Sequence, residues 1–250
     1  MARPKRRRSP RTGRLLAALA ITCVVAVILV LYWPKASTKP TAVILDPIST
    51  SLGDKNFTQR CTALLEAAGY TVEAYEGGEV TVERVKSIRG CSLLVLRVHS
   101  SVFDEGVWFF TGEPYSSTEH VPEQLSNDLH IGRTSLMENL TFAVGASFIT
   151  RNLRDRLPGA LIVLMGCDGL RRANLAEAFT EAGAAAYVSW DGPITIQQTD
   201  EATLGLLNSL VTERLTLRES VDSAPLGTEN GFNTTLTIYP ADGGGLRLPP

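Results

Sequence analysis

The sequence is poor in the residues that build metal centres and nucleotide sites. Its 250 residues include three histidines and four cysteines, and no two cysteines stand in a CxxC or CxxxC spacing. This scarcity argues against a zinc site and against disulfide exchange. Neither GxGxxG nor GxxxxGK[ST] occurs, so nothing indicates a bound nucleotide. We therefore expect neither a metal nor a cofactor.

The charge of the chain is distributed unevenly. Residues 1–14 hold seven of the 24 Lys and Arg residues and none of the 26 acids, which leaves 17 bases against 26 acids in the remainder. An acidic body is a poor partner for phosphate backbones. We therefore expect no nucleic-acid partner.

An uncharged apolar run, LLAALAITCVVAVILVLYW, occupies residues 15–33. At ~1.5 Å per residue a helix of this length spans nearly the ~30 Å hydrocarbon core of a bilayer. Tyr32 and Trp33 close the run as an interfacial aromatic pair, and Pro34 ends the helix. The alternative, a cleaved signal peptide, has a shorter apolar stretch. The predicted organisation of this single-pass cell-membrane protein is a cytoplasmic basic tail at 1–14, a transmembrane signal anchor at 15–33, a linker at 34–40 and an extracytoplasmic domain at 41–250.

The body alternates apolar strands with amphipathic helices. The strands are apolar almost throughout, which is typical of a parallel sheet covered by helices on both faces. Strands are predicted at 41–46, 71–76, 91–100, 160–167 and 184–190, and helices at 57–70, 80–90, 170–183 and 201–215. Residues 101–159 form an insertion in this alternation of strands and helices. Within the insertion we expect a hairpin at 108–120 and a helix at 146–157. The fold class is α/β with a mostly parallel central sheet, to which the tail 225–250 adds an edge strand.

A histidine and a cysteine follow two of the strongest strands. Functional residues of open α/β sheets gather beyond the carboxyl ends of the strands, where the pattern brings His99 and Cys167. An imidazole beside a thiol takes its proton, makes the nucleophilic thiolate and returns the proton to a leaving amine. Taken singly, a cysteine after an apolar strand is more often a buried small hydrophobe. Their joint position favours a Cys–His dyad.

These residues carry a resemblance to a known group. A strand ending in histidine, then LIVLMGCDGL and LAEAFTEAGAAAYVSWDGPI, resembles the caspase–gingipain–legumain peptidases (clan CD), prokaryotic caspase-like domains included, over about residues 41–222. The resemblance implies a three-layer caspase-like fold and peptide bonds as the substrate. By position it makes Cys167 the nucleophile and His99 the general acid/base. It also assigns the oxyanion hole to the backbone N–H groups of Ser100 and Cys167.

Two positions depart from the pattern of that group. Its members usually have glycine directly after the histidine, where this chain has Ser100, and alanine or serine before the cysteine, where this chain has Gly166. The expected function is a membrane-anchored caspase-like cysteine peptidase acting on a peptide or protein. The alternative, which Ser100 favours, is a catalytically inactive caspase-like domain serving as a cell-surface recognition or scaffolding module. A solute-binding domain using the same crevice is a third possibility.

The sequence does not determine the substrate preference, the pairing of the cysteines or the oligomeric state. Acids that the pattern brings near the site would favour a basic residue before the scissile bond, but most of them are better explained as solvated loop acids, so no preference is assigned. These acids are Asp46, Asp104, Glu105, Glu113, Asp168 and Asp191. Cys61 and Cys91 either form a bridge or remain thiols.

Overall fold

The computed structural model describes most of the body of the chain. The described residues are 39–49, 54–104, 106–133, 140–229 and 231–249. The predicted tail, the predicted span at 15–33 and most of the linker lie outside them. No described helix combines the length and the apolar character needed to cross a bilayer. The extracytoplasmic location of the body stays a prediction.

The described elements follow one another closely along the chain. The strands are β1 (Thr41–Asp46), β2 (Thr71–Glu76), β3 (Leu93–Leu96), β4 (Ser100–Phe103), β5 (Gly106–Pro114), β6 (Leu129–Gly132), β7 (Thr141–Val144), β8 (Leu161–Leu164), β9 (Ala186–Trp190), β10 (Gly227–Glu229), β11 (Phe232–Thr234) and β12 (Leu236–Tyr239). The α-helices are α1 (Phe57–Ala67), α2 (Val82–Ser87), α3 (Val121–Leu125), α4 (Ala146–Asn152), α5 (Asn174–Glu181), α6 (Ile196–Val211) and α7 (Leu217–Asp222).

A six-stranded sheet in the order β12-β9-β8-β3-β1-β2 forms the centre. Five strands of this sheet, β9, β8, β3, β1 and β2, run parallel to one another. Strand β12 pairs antiparallel with β9 at one edge. The central strands are buried on both faces because their side chains alternate between two cores. Leu94 and Leu96 of β3 join one core, and Leu93 and Val95 join the other.

Helices and a second sheet cover the two faces. Helices α1, α6 and α7 pack on one face of the central sheet. On the other face lie α2, α4, α5 and apolar side chains of β5, β6 and β7. Each fully buried Leu, Ile, Val or Phe side chain stabilises the fold by about 1.5–3 kcal/mol, so these helices hold the strand ends in fixed positions.

The second sheet is antiparallel, with four strands in the order β4-β5-β7-β6. Asp104 follows β4 with φ 48°, the left-handed conformation that tight hairpin turns require. Strand β4 begins at Ser100, immediately after His99. The chain therefore passes from the parallel sheet into the antiparallel sheet at the predicted site.

The predicted fold class is corrected by this architecture. We expected a three-layer caspase-like fold with a mostly parallel central sheet, preceded by one transmembrane helix. The molecule is instead α/β with mixed sheets, because residues 100–144 contribute an antiparallel sheet of their own and not a hairpin. No membrane-spanning helix is found among the described residues. Only two residues separate β4 from β5, too few for the crossover that a parallel connection needs, so these strands pair antiparallel.

The two buried cysteines are free thiols. Cys61 belongs to α1 and packs in the core on that face of the central sheet, and Cys91 packs in the core on the opposite face. Burial raises the pKa of Cys61 to about 12 and that of Cys91 to about 11. The bridge that the sequence left open is therefore not formed.

Candidate active site

His99 and Cys167 lie at the same edge of the central sheet. Strands β3 and β8 are parallel neighbours whose last residues, Leu96 and Leu164, face each other. His99 and Cys167 each follow three residues later, so the two side chains reach the same level beyond the strands. Both line one pocket. The structure thus brings together the two side chains that the sequence singled out.

The pocket that they share is small and mostly apolar. Its cavity volume of about 20 Å³ suffices for about one water molecule. Its walls come from the ends of β3 and β8, the loop after β1 and the start of α6. The lining residues are Ile48, Arg97, Val98, His99, Met165, Gly166, Cys167, Ile194, Ile196 and Thr199.

The Cys167 thiol is held by the backbone of Ile194. Its S–H donates to the Ile194 carbonyl at 3.4 Å, and the Ile194 N–H donates to the sulfur, also at 3.4 Å. Burial raises the pKa of Cys167 above its ordinary value of 9.0, although the Ile194 N–H opposes the shift. The group is therefore a neutral thiol at neutral pH.

His99 is set up as a neutral imidazole. Burial lowers its pKa below the ordinary value of 6.5. Its Nε2 atom is buried and has no hydrogen-bond partner among the described residues. A buried nitrogen without a partner is costly to the fold, and its capacity to accept a proton is not used by any described residue. In the described structure no hydrogen bond joins His99 to Cys167.

Ser100 and Gly166 pack against each other beside the thiol. The Ser100 hydroxyl donates to the Cys167 carbonyl at 2.6 Å. A Cβ atom at position 166 would lie 2.0 Å from Ser100 Oγ and 2.8 Å from the Val98 carbonyl oxygen. The side chain at 100 thus occupies the space that a side chain at 166 would need. The two departures from the caspase-like pattern therefore compensate each other: a larger residue at position 100 is matched by a smaller one at position 166.

The backbone N–H groups of Ser100 and Cys167 are not used by the sheets. Phe110 N–H donates to the His99 carbonyl at 2.9 Å, so His99 and Phe110 form a hydrogen-bonded pair. Bonded and non-bonded pairs alternate in an antiparallel ladder, so the amide of Ser100, which faces Phe109, points away from β5. Among the described residues, no backbone carbonyl accepts from the Cys167 N–H. Their role as oxyanion donors stays a prediction.

A buried charge cluster underlies the pocket, and sequence reasoning missed it. Arg97 Nε and Nη2 donate to the two carboxylate oxygens of Asp200, each at 2.8 Å. Nη1 lies 3.0 Å from both oxygens of Asp46. Burial raises the pKa of Asp46 although Arg97 opposes the shift. An arginine inside an otherwise apolar strand was the available signal, because a buried charge requires a partner.

Three of the other acids considered for substrate preference already have partners. Asp168 pairs with Arg171 at 3.1 Å, and Glu113 contacts His120 at 2.7 Å. Asp191 accepts from the last residue of β11 and from the residue after it. None of the six acids appears among the described residues that line the pocket. Glu105 lies outside the described residues.

The search for metal-ligand clusters and the comparisons with known proteins identified no further feature of the site. Within the described ranges, no group of three or more His, Cys, Asp or Glu side chains could hold a metal ion. No protein-family model matches the chain, and no curated protein matches it either. The functional conclusion therefore rests on the pocket itself.

Proposed function

We propose that the chain is a caspase-like cysteine peptidase in which Cys167 attacks the peptide carbonyl and His99 transfers the proton. The observation that carries the proposal is that His99, whose Nε2 has no hydrogen-bond partner among the described residues, lines the same pocket as Cys167. A proton acceptor and a thiol that line one crevice are the minimum that thiol-based acyl transfer requires.

The acylation step follows from the protonation states. The S–H proton of Cys167 moves to Nε2 of His99 as the sulfur bonds to the carbonyl carbon. The oxygen gains negative charge, which the N–H groups of Ser100 and Cys167 stabilise. The C–N bond then breaks, and His99 gives its proton to the leaving amine. Both pKa shifts favour the neutral thiol and the neutral imidazole, so the resting pair carries no charge.

Deacylation regenerates the same pair. Water attacks the thioester carbonyl while His99 Nε2 takes one of its protons. The C–S bond breaks, the acid product leaves, and the proton returns to the Cys167 sulfur. No co-reactant other than water is needed.

The first test compares cleavage of a mixed peptide library by the full chain and by Cys167→Ser. We expect cleavage to be lost in Cys167→Ser and to fall by about 10²–10⁴-fold in His99→Ala, because proton transfer contributes that much. Mass spectrometry of the library gives the rates. The matched control is Cys91→Ala, which removes a buried thiol in the core and leaves cleavage intact.

Two further outcomes bear on this test. The acid limb of the pH profile is expected below pH 6.5, because burial lowers the pKa of His99 and only the neutral ring accepts a proton. Equal cleavage by the wild type and Cys167→Ser contradicts the proposal, because the activity then has another origin.

Site-resolved alkylation provides a second prediction. Among the described cysteines we expect iodoacetamide to modify Cys167 first, because Cys61 and Cys91 are almost completely buried and Cys167 is half-buried. Its rate is expected to rise about tenfold per pH unit between pH 7 and 9, since the thiolate is the reactive form and burial raises its pKa above 9.0. Peptide mass spectrometry measures each site separately. A rate that levels off near neutral pH contradicts the neutral pair.

The second candidate function is a catalytically inactive caspase-like domain that recognises peptides. The raised pKa of Cys167 and the missing hydrogen bond to His99 favour it. Such a domain retains library peptides without cutting them, and retention is unchanged in Cys167→Ser. The same library therefore separates the two functions.

A further inference from the structure

Strand β6 is an edge strand without charged side chains. The antiparallel sheet has the order β4-β5-β7-β6, so one side of β6 has no neighbouring strand among the described residues. Its residues are Leu-His-Ile-Gly, and its register with β7 is regular. Proteins usually protect an open edge with charge, proline or a bulge, because such an edge is a template for pairing with another chain. Strand β6 has none of these protections.

The register of the sheet shows which backbone groups of β6 are unused. The Gly145 N–H donates to the Asp128 carbonyl at 3.2 Å, so these two residues form a hydrogen-bonded pair. Bonded and non-bonded pairs alternate in an antiparallel ladder, and Leu129 and Ile131 therefore occupy non-bonded positions opposite β7. The N–H and C=O groups of Leu129 and Ile131 point away from β7, toward the open edge.

Exposed apolar side chains lie on the elements around this edge. Helix α3 ends three residues before β6 begins, and β7 is the strand that pairs with β6. Four of the six exposed large hydrophobic residues in the described ranges lie on α3, on β6 or directly before β7. They are Val121, Leu125, Ile131 and Leu140. Exposed apolar side chains that gather in one region indicate a protein–protein interface.

We propose that β6 pairs with β6 of a second copy of the chain, antiparallel and about a two-fold axis at Ile131. A hydrogen-bonded pair between two copies has to join residues that point outward, and Ile131 satisfies this when it faces its own counterpart. Ile131 is 47% exposed and Leu129 is 2% exposed. Placing the axis at Ile131 therefore removes the exposed side chain of both copies from water.

A second copy suits this edge because a two-fold interface brings the same surface together twice. Each copy supplies an uncharged edge and the same apolar side chains, so no charge is buried. The other described open edge that we compare, β2, carries Glu73 and Glu76, and like charges directly opposite each other disfavour pairing. The two antiparallel sheets of four strands would join into one continuous sheet across the axis.

The size of the contact determines how strong the association is. Strand β6 has four residues, and a standard stable interface buries about 800 Å² on each partner. The edge and the side chains of α3 form a smaller surface, so we expect a reversible dimer that dissociates on dilution. The proposal does not depend on the peptidase function.

The first experiment cross-links the copies through the axis. The full chain is purified in a mild detergent as Ile131→Cys, and interchain disulfides are followed on non-reducing gels. A bonded antiparallel pair holds its Cα atoms about 5.5 Å apart, within the range of about 4.4–6.8 Å that a disulfide spans. The control is Ala74→Cys, an exposed position on the β2 edge. We expect Ile131→Cys to cross-link at least about tenfold faster, because association raises the effective concentration of the two thiols.

The second experiment places a charge on the axis. Sedimentation velocity of the full chain in density-matched detergent gives the Kd of the dimer. Ile131→Lys is expected to raise this Kd at least about tenfold, because two like charges would meet. Ala74→Lys adds the same charge at the β2 edge and is expected to leave the Kd unchanged. Circular dichroism checks that both variants are folded.

Three results would overturn the proposal. The first is a wild-type chain that stays monomeric at every concentration, which would leave β6 to a partner of another sequence. The second is a dimer whose Kd is the same in Ile131→Lys, because its interface then lies elsewhere. The third is equal cross-linking of Ile131→Cys and Ala74→Cys.

Discussion

Replacement of Arg97 by methionine is expected to lower the free energy of unfolding by about 3–5 kcal/mol, the cost of breaking a buried ion pair from one side. Arg97 is fully buried, and its guanidinium donates hydrogen bonds to Asp46 and Asp200 at 2.8–3.0 Å. Without it, two carboxylates remain in the interior with no counter-charge. Urea denaturation followed by circular dichroism measures the loss.

The pH dependence of this loss is a second signature of the same cluster. Burial raises the folded-state pKa of Asp46 above its ordinary value of 3.8, and removal of Arg97 raises it further. A raised carboxyl pKa means that protonation favours the folded state. The deficit of Arg97→Met is therefore expected to be largest at neutral pH and to shrink as the pH falls toward 4.

The matched control for this variant is Arg171→Met. Arg171 pairs with Asp168 at the surface and its side chain is 59% exposed, so its loss is expected to cost about 0–1 kcal/mol. Equal losses in the two variants, or a deficit of Arg97→Met that does not change with pH, would show that the buried cluster contributes nothing special to stability.

Gly166→Ala is expected to destabilise the domain by about 1–3 kcal/mol, the usual cost of overpacking, and to slow alkylation of Cys167. The new methyl group would meet Ser100 Oγ at 2.0 Å and the Val98 carbonyl at 2.8 Å. Relief of that clash shifts the Cys167 backbone, because the Ser100 hydroxyl is bonded to the Cys167 carbonyl. Denaturation and alkylation rates are measured on the same sample.

Because the side chains at positions 100 and 166 compete for the same space, a double variant tests this prediction. Ser100→Gly removes the hydroxyl that the methyl group meets, so Ser100→Gly/Gly166→Ala is expected to recover part of the lost stability. The coupling between neighbouring sites is typically about 0.5–3 kcal/mol. Recovery is incomplete because the Val98 carbonyl remains in place. Strictly additive effects would contradict the proposed contact.

Gly205→Ala is the control for the glycine substitution itself. Gly205 is exposed within α6, and no atom lies within 4 Å of a Cβ placed there. Alanine in the middle of a helix is expected to stabilise the fold by about 0.5–1 kcal/mol. The opposite signs at 166 and 205 separate steric overlap from backbone effects.

The sequence predicted the outer parallel strands better than the strands at the site. The bounds of β1 and β2 agree with prediction, because proline follows the first run and glycine follows the second. The strands predicted at 91–100 and 160–167 are shorter in the structure. Their last apolar residues, such as Val98 and Met165, line the pocket instead. Hydrophobicity alone does not distinguish the end of a strand from the wall of a pocket.

The antiparallel sheet and the packing at the site depend on contacts that are distant in the sequence. Strands β4, β6 and β7 have four residues each, too few to show a clear alternation. His99 and Cys167 were identified because each follows a buried strand. The fit between Ser100 and Gly166 and the engagement of Arg97 by Asp200 join residues on different elements, so no local pattern reports them.

Strand β2 forms one edge of the central sheet. It pairs only with β1 among the described strands, and most of its residues are exposed. An edge strand without charged side chains would be a template for intermolecular pairing. Glu73 and Glu76 give β2 a negative rim, and the Arg84 guanidinium stacks over Tyr75 at 3.8 Å. Two such edges repel each other, which protects the protein against edge-to-edge aggregation.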